Sequence, residues 1–145
     1  MRQLKFRVWD KINSEWFNPE ETNDGAGLTL NGEIAYCSES QFGHINPSNN
    51  GRFSVQQFTG FLDKNGVEAY EGDIVEYEQT NGFKTNLLTY IGMICLHGAQ
   101  SYYGVGFAGG SKGDINPMCF DYSIKITIKI IGNIFENPEL LPRIS

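Results

Sequence analysis

The sequence predicts an all-β chain, and three observations carry that prediction. Seventeen glycines stand against five alanines in 145 residues, a balance that suits many strands joined by tight turns better than long helices. Apolar and polar residues alternate with a period of two in several short runs. Turn signals such as Asn31-Gly32 and Asp63-Lys64-Asn65-Gly66 separate those runs.

The elements follow in chain order. Leu4, Phe6 and Val8 alternate with Lys5, Arg7 and Trp9, which predicts a half-buried strand. "DKINS" turns, and "EWF" returns as the second arm of a hairpin. "NPEETNDGAG" stacks Pro, Asn, Asp and Gly without periodicity and reads as loop. In "LTLNGEIAY", Asn31-Gly32 tolerates the positive φ angles of a type I′ turn between two β-prone arms. The polar stretch 37–51 reads as a long loop and marks the expected boundary between an N-terminal β unit, 1–51, and a C-terminal unit, 52–145.

Alternation resumes in "RFSVQQFTG", with Phe53 and Val55 on one face. "DKNG" at 63–66 turns the chain, Glu71-Gly72-Asp73 turns it again, and "GDIVEYE" is the next strand. "LLTYIGMICLH" and "SYYGVGF" form a further hairpin, in which Gly92, Gly104 and Gly106 predict bulges or sharp curvature. "AGGSKGDINP" reads as loop. The clearest strand is "SIKITIKIIGNIF", whose Ile124, Ile126, Ile128 and Ile130 face one way while Lys125, Thr127 and Lys129 face the other. "NPELL" then predicts one short helical turn, with Asn137 as N-cap and Pro138 at the first position. The expected architecture is an N-terminal β-hairpin unit and a C-terminal SH3-like, partly open small barrel.

Charge narrows the partners. The net charge is −6, yet Arg2, Lys5, Arg7 and Lys11 crowd the first eleven residues against Asp10 alone. Residues 61–78 hold six acids against Lys64. An acidic surface repels phosphate backbones, so nucleic acid is disfavoured as a partner, and only the first strand offers a basic patch. No run of 18 apolar residues exists to span a membrane, and "MRQLKFRVWD" lacks the apolar core of a secretory signal, so the expected compartment is the cytoplasm. Cys37, Cys95 and Cys119 are odd in number and contain no CxxC pair, which suits free thiols.

Five constellations bear on chemistry. An EF-hand is excluded, because Gly66 falls at the fourth loop position, Glu68 at the sixth and Ile74 at the twelfth, where Gly and a bidentate Glu are required at the last two. Glu71 and Asp73 are two apart in an extended segment and read as solvated turn residues rather than an acid/base pair. Cys95 and His97 share a strand face and would serve a zinc ion or a thiolate–imidazole pair, but Cys37, His44 and Cys119 lack finger-like spacing. Trp9, Trp16, Phe17, Tyr102 and Tyr103 would stack bases if they lined an open face; core packing is the simpler role. "GFAGGSKGD" has no phosphate-loop order. No catalytic, cofactor-binding or metal residue and no cofactor is expected.

"LKFRVWDK" at 4–11, "FTGFLDKNGVEAYEGDIVEY" at 58–77 and "IIGNIFENPELL" at 130–141 together resemble the three blocks of the YopX family of phage and prophage proteins. The family pattern "QYTGLKDKNG" is met here by Gln57-Phe58-Thr59-Gly60-Phe61-Leu62 and the turn that follows. Residues 18–51 lie outside the blocks and read as a variable insert. The resemblance implies a mostly β, phage-encoded accessory protein in the cytoplasm of a bacterial host, and it brings no catalytic residue with it. The expected function is binding of a host or phage protein, or of further copies of the chain, without catalysis. One alternative is single-stranded nucleic-acid binding through Arg2, Lys5, Arg7, Trp9 and Lys11; another is a metal-dependent hydrolase built on Cys95 and His97.

Overall fold

A computed structural model describes residues 4–17, 25–28, 34–37, 46–47, 51–81, 88–97, 102–107, 115–117 and 124–141. Its regular elements are strands, with one 3₁₀ turn, so the chain is all-β as its alternation predicts. Contacts divide it into two units, Lys5–Gln57 and a second made of Met1–Leu4 with Phe58–Ser145.

In the first unit, β1 (Phe6–Asp10) pairs antiparallel with β2 (Glu15–Trp16), setting Trp9 opposite Trp16. The predicted hairpin of "DKINS" is therefore present. Its apolar face is not the predicted one: Leu4 is 67% and Phe6 40% exposed, whereas Trp9 is 6% exposed. The reason lies across the hairpin, where Trp16 meets Trp9 edge to face at 5.0 Å between centroids. The other side of β1 pairs with the first half of β6 (Phe53–Leu62), Val8 opposite Val55.

Asp10 is almost fully buried, yet its carboxylate is well supplied. It accepts the backbone N–H groups of Ile12 at 2.9 Å and Asn13 at 3.3 Å, and the Arg52 Nε–H reaches both oxygens at 3.0 Å. The Arg52 hydrogen bond leads in holding this carboxyl below its ordinary range, against the cost of burial. Arg52→Met should thus strand a buried charge and cost about 2 kcal/mol in urea unfolding, less than for a fully buried pair because Arg52 is partly exposed.

A separate three-stranded sheet of β3 (Gly25–Leu28), β4 (Ile34–Cys37) and β5 (Asn46–Pro47) completes the unit. Two corrections arise here. Gly25-Ala26-Gly27 and Asn46-Pro47, read as loop from composition, are strand, because backbone pairing with β4 needs no side-chain pattern. The predicted Asn31-Gly32 turn lies between Leu28 and Ile34, outside the described residues. Most of the 37–51 loop lies outside them too.

In the second unit, the end of β6 pairs with β7 (Glu68–Tyr70), and the register slips between Phe58 and Leu62 around Gly60, which has φ +89°. A five-stranded antiparallel sheet follows in the order β11 (Ile115–Pro117), β10 (Tyr102–Phe107), β9 (Leu88–His97), β8 (Asp73–Asn81), β12 (Ile124–Asn133). Strand β8, between β9 and β12, is dry on both faces at its start, with Ile74 and Val75 at 0% exposure. Val75, Tyr77, Ile94, Val105 and Ile128 form the core with Ala69, and Phe61, Ile126 and Ile130 pack against it. Ile126, Ile128 and Ile130 of β12 thus face the core as predicted, while the side chain of Ile124 lies outside the described residues. Each such large apolar side chain contributes at most about 1.5–3 kcal/mol by burial.

The glycines of β9 and β10 correct a further expectation. Their pairing runs unbroken from Tyr102 opposite His97 to Phe107 opposite Gly92, so no bulge lies between these strands. The register shift falls in β12 instead, between Ile130 and Gly132. Ile115–Pro117, read as loop, is the sheet's short edge strand against β10. The predicted helical turn is the 3₁₀ turn Pro138–Leu140, but Asn137 makes no side-chain cap bond. Its side chain lies over Gly132, where an added Cβ would stand 2.6 Å from the Asn137 Oδ1.

Candidate functional site at the edge of β12

The turn Asp63-Lys64-Asn65-Gly66 is built as the sequence predicts. Asp63 Oδ1 accepts the N–H groups of Asn65 at 2.7 Å and Val67 at 2.9 Å, the Gly66 N–H donates to the Asp63 carbonyl at 3.0 Å, and Gly66 takes φ +83°. The carboxylate reaches further than its own turn. Asp63 Oδ2 accepts the Ile130 N–H at 3.2 Å, and the Lys64 N–H donates to the Ile128 carbonyl at 2.9 Å.

Burial acts to raise the Asp63 pKa, but the N–H groups of Val67, Asn65 and Ile130 together outweigh it and hold the carboxyl below its ordinary value. This carboxylate is ionised and saturated. It fastens the hairpin to β12.

Those two bonds also fix which way β12 points its backbone. In an antiparallel ladder, both backbone groups of a residue face the same side and alternate residues face opposite sides. Ile128 and Ile130 face away from β8, so Ile126 and Ile124 do as well. The Asp63 hairpin closes this outer edge only at Ile128 and Ile130. Towards Ile124, no described residue pairs with it.

At the point where hairpin and strand diverge lies a cavity of about 140 Å³, lined by Phe61, Leu62, Asp63 and Lys64 on one side and Ile126, Thr127 and Ile128 on the other. Leu62 and Val67 stand beside it, 57% and 52% exposed. The arrangement offers backbone donors and acceptors, an apolar recess and one ammonium.

The residues singled out from the sequence are placed as follows. Arg7 and Trp9 alternate on β1, Lys5 directly precedes it, Lys11 is exposed in the turn after it, and Arg2 lies outside the described residues. The Arg7 Nε–H donates to Gln56 Oε1 at 2.8 Å, and its guanidinium lies 4.4 Å over the Trp16 ring. Trp9 is buried against Trp16, and Phe17 meets Phe53 edge to face at 5.7 Å. Most of this aromatic set packs inward or against a cation; the side chains of Tyr102 and Tyr103 lie outside the described residues.

The Cys95 thiol is pushed up by burial, with the Glu71 charge adding to the effect, and it faces the Gly104 carbonyl at 3.8 Å. A thiol so placed is a poor nucleophile at neutral pH. The side chains of His97 and Cys37, and all of His44 and Cys119, lie outside the described residues. Asp73, read from the sequence as solvated, is instead buried at 1% exposure, where its carboxylate accepts the Tyr70 N–H at 2.8 Å, and Glu68 accepts the Tyr70 hydroxyl at 2.9 Å. These acids serve turns. Among the described residues, no three His, Cys, Asp or Glu side chains gather as a metal-ligating group.

What sequence reasoning missed is the edge itself. Asp63 and the β12 alternation were both visible, but their meeting is a contact across 67 residues that no local pattern encodes.

Fold and edge together define a small all-β protein of antiparallel sheets with a partly open strand edge beside an apolar recess. The chain belongs to the YopX family, whose model, described as YopX protein, matches residues 5–142. Among solved structures it is similar to the crystal structure of protein EF1440 from Enterococcus faecalis, with a TM-score of 0.52 and 22% identity over 98% of this chain and 100% of that one. A likeness at that identity shows the fold alone. No curated protein matches the chain. Among the described residues no helix is long and apolar enough to cross a membrane.

Proposed function

We propose that this chain is a phage-encoded accessory protein that binds another protein in the host cytoplasm, without catalysis, by adding a strand to an SH3-like C-terminal unit. The observation that supports the reading most directly is the outer edge of β12, where Ile124 and Ile126 present backbone groups beside an apolar recess. Sheet edges of this kind recruit extended segments through main-chain hydrogen bonds, with side-chain recesses supplying selectivity.

Pull-down from host lysate, with and without nuclease, tests it. Wild-type protein should retain a partner regardless of nuclease, and Ile126→Pro should lose it. Proline at that position deletes an outward N–H while leaving the β8 ladder of Lys125 and Thr127 intact, a substitution that edge strands tolerate. Circular dichroism would confirm that the variant is folded. Recovery that disappears with nuclease, or retention unchanged by the proline, would sink the reading.

A further inference from the structure

Resting on that reading, we infer the chemistry of the segment the edge receives: an extended peptide with an aliphatic or aromatic residue next to a carboxylate. The open part of the edge, 124–127, spans about 14 Å and pairs with roughly four residues of an incoming strand. Every second side chain of that strand then faces the core side of the sheet, where the recess lies.

The recess selects what enters it. Phe61, Leu62, Ile126 and Ile128 supply its apolar walls, and 140 Å³ approaches the size of an apolar cavity that accommodates a benzene ring. One large apolar side chain fills it. A polar side chain there would lose water without gaining a partner.

Charge selects what stands beside that anchor. The Asp63 carboxylate at the lip is saturated by three backbone N–H groups, so it has little left to offer a cation. Lys129 on β12 is held by Glu76 at 3.8 Å. Lys64 is exposed at the lip, and among the described residues no carboxylate pairs with its ammonium. The Lys64 ammonium is therefore the charge at the lip that the described residues leave without an ion-pair partner, and a carboxylate on the incoming strand complements it. A second copy pairing through this same edge would bring Lys125 and Lys129 and no carboxylate to the contact, which favours a foreign acidic segment over self-pairing.

The test uses the whole chain and two fluorescein-labelled octapeptides, one alternating valine with glutamate and one alternating valine with lysine. Fluorescence anisotropy should show the glutamate peptide binding more tightly, and Lys64→Glu should shift the preference towards the lysine peptide by about fivefold or more. Lys64→Glu keeps the backbone N–H that bonds Ile128, so the fold is retained. N-methylation of alternate residues along one edge of the glutamate peptide should abolish binding, and along the other edge should not. In amide NMR spectra, Ile126 and Ile128 should shift on titration.

Equal binding of both peptides, or no response to Lys64→Glu, overturns the acidic-apolar class. If the pull-down still depends on Ile126, strand addition survives that result and only the class falls. Light scattering that shows a dimer dissolved by Ile126→Pro would assign the edge to a second copy and overturn the inference.

Discussion

Asp63→Ala is expected to lower the stability of the second unit by about 3 kcal/mol in urea unfolding, because three backbone N–H groups lose a charged acceptor at once. Two of those groups belong to the turn and one to β12, so the damage is not confined to a loop. Asp63→Asn keeps the shape and one carbonyl oxygen, but an amide cannot accept on both sides. Its loss should be about half as large. The pH dependence has a definite sign. A carboxyl whose pKa is lowered on folding contributes its stability in full above the unfolded value, near 3.8, and loses it as pH falls towards the folded value. Wild-type stability should therefore decline from about pH 5 downwards. Asp10 pulls in the same direction, and Asp63→Asn should flatten part of the slope while leaving Asp10's share. An acid profile identical in Asp63→Asn and wild type would refute the assignment.

Gly92→Ala is expected to be of similar severity for a different reason. A Cβ at this position would stand 2.5 Å from the Gly106 carbonyl oxygen and 2.6 Å from Val105 Cγ1. Neither can retreat: one belongs to the paired strand β10 and the other to a core side chain with no exposure. Overpacking of this kind costs about 2–3 kcal/mol. Gly106→Ala is the matched control, because its nearest obstacle is Cys95 Sγ at 3.5 Å, an ordinary contact. Thermal melts should show a large drop for the first variant and a shift under about 1 kcal/mol for the second. Equal behaviour of the two would contradict the packing described for β9 and β10.

The sequence disclosed some elements and concealed others, according to whether a local rule governs them. The Asp63-Lys64-Asn65-Gly66 turn and the isoleucines of β12 follow from turn chemistry and alternation over a few residues, and both stand as predicted. Gly25–Leu28, Asn46–Pro47 and Ile115–Pro117 are held by pairing with neighbouring strands, so a glycine-rich or polar segment gives no warning of them. The apolar face of β1 was misjudged because Trp16 and Arg52 decide what Trp9 and Asp10 bury, and both approach from other segments. Gly92 was visible as a special residue, but its reason is close approach by Gly106 and Val105, not a bulge. The candidate site was the least legible part. Its residues were all in view, while the bonds from Asp63 and Lys64 to β12 that leave part of one edge open appear only in three dimensions.

The same edge has a cost in solution behaviour. "IKITIKII", Ile124–Ile131, combines high β propensity with no proline or glycine, the composition of segments that stack into amyloid. Lys125 and Lys129 interrupt it four positions apart on one face and act as gatekeepers, since fibril stacking would align like charges every 4.7–4.8 Å along the axis, roughly one strand spacing. Glu76 offsets one of these lysines within the folded sheet. In an unfolded or newly made chain that offset is absent, and both charges are free to oppose association until β8 has paired with this strand.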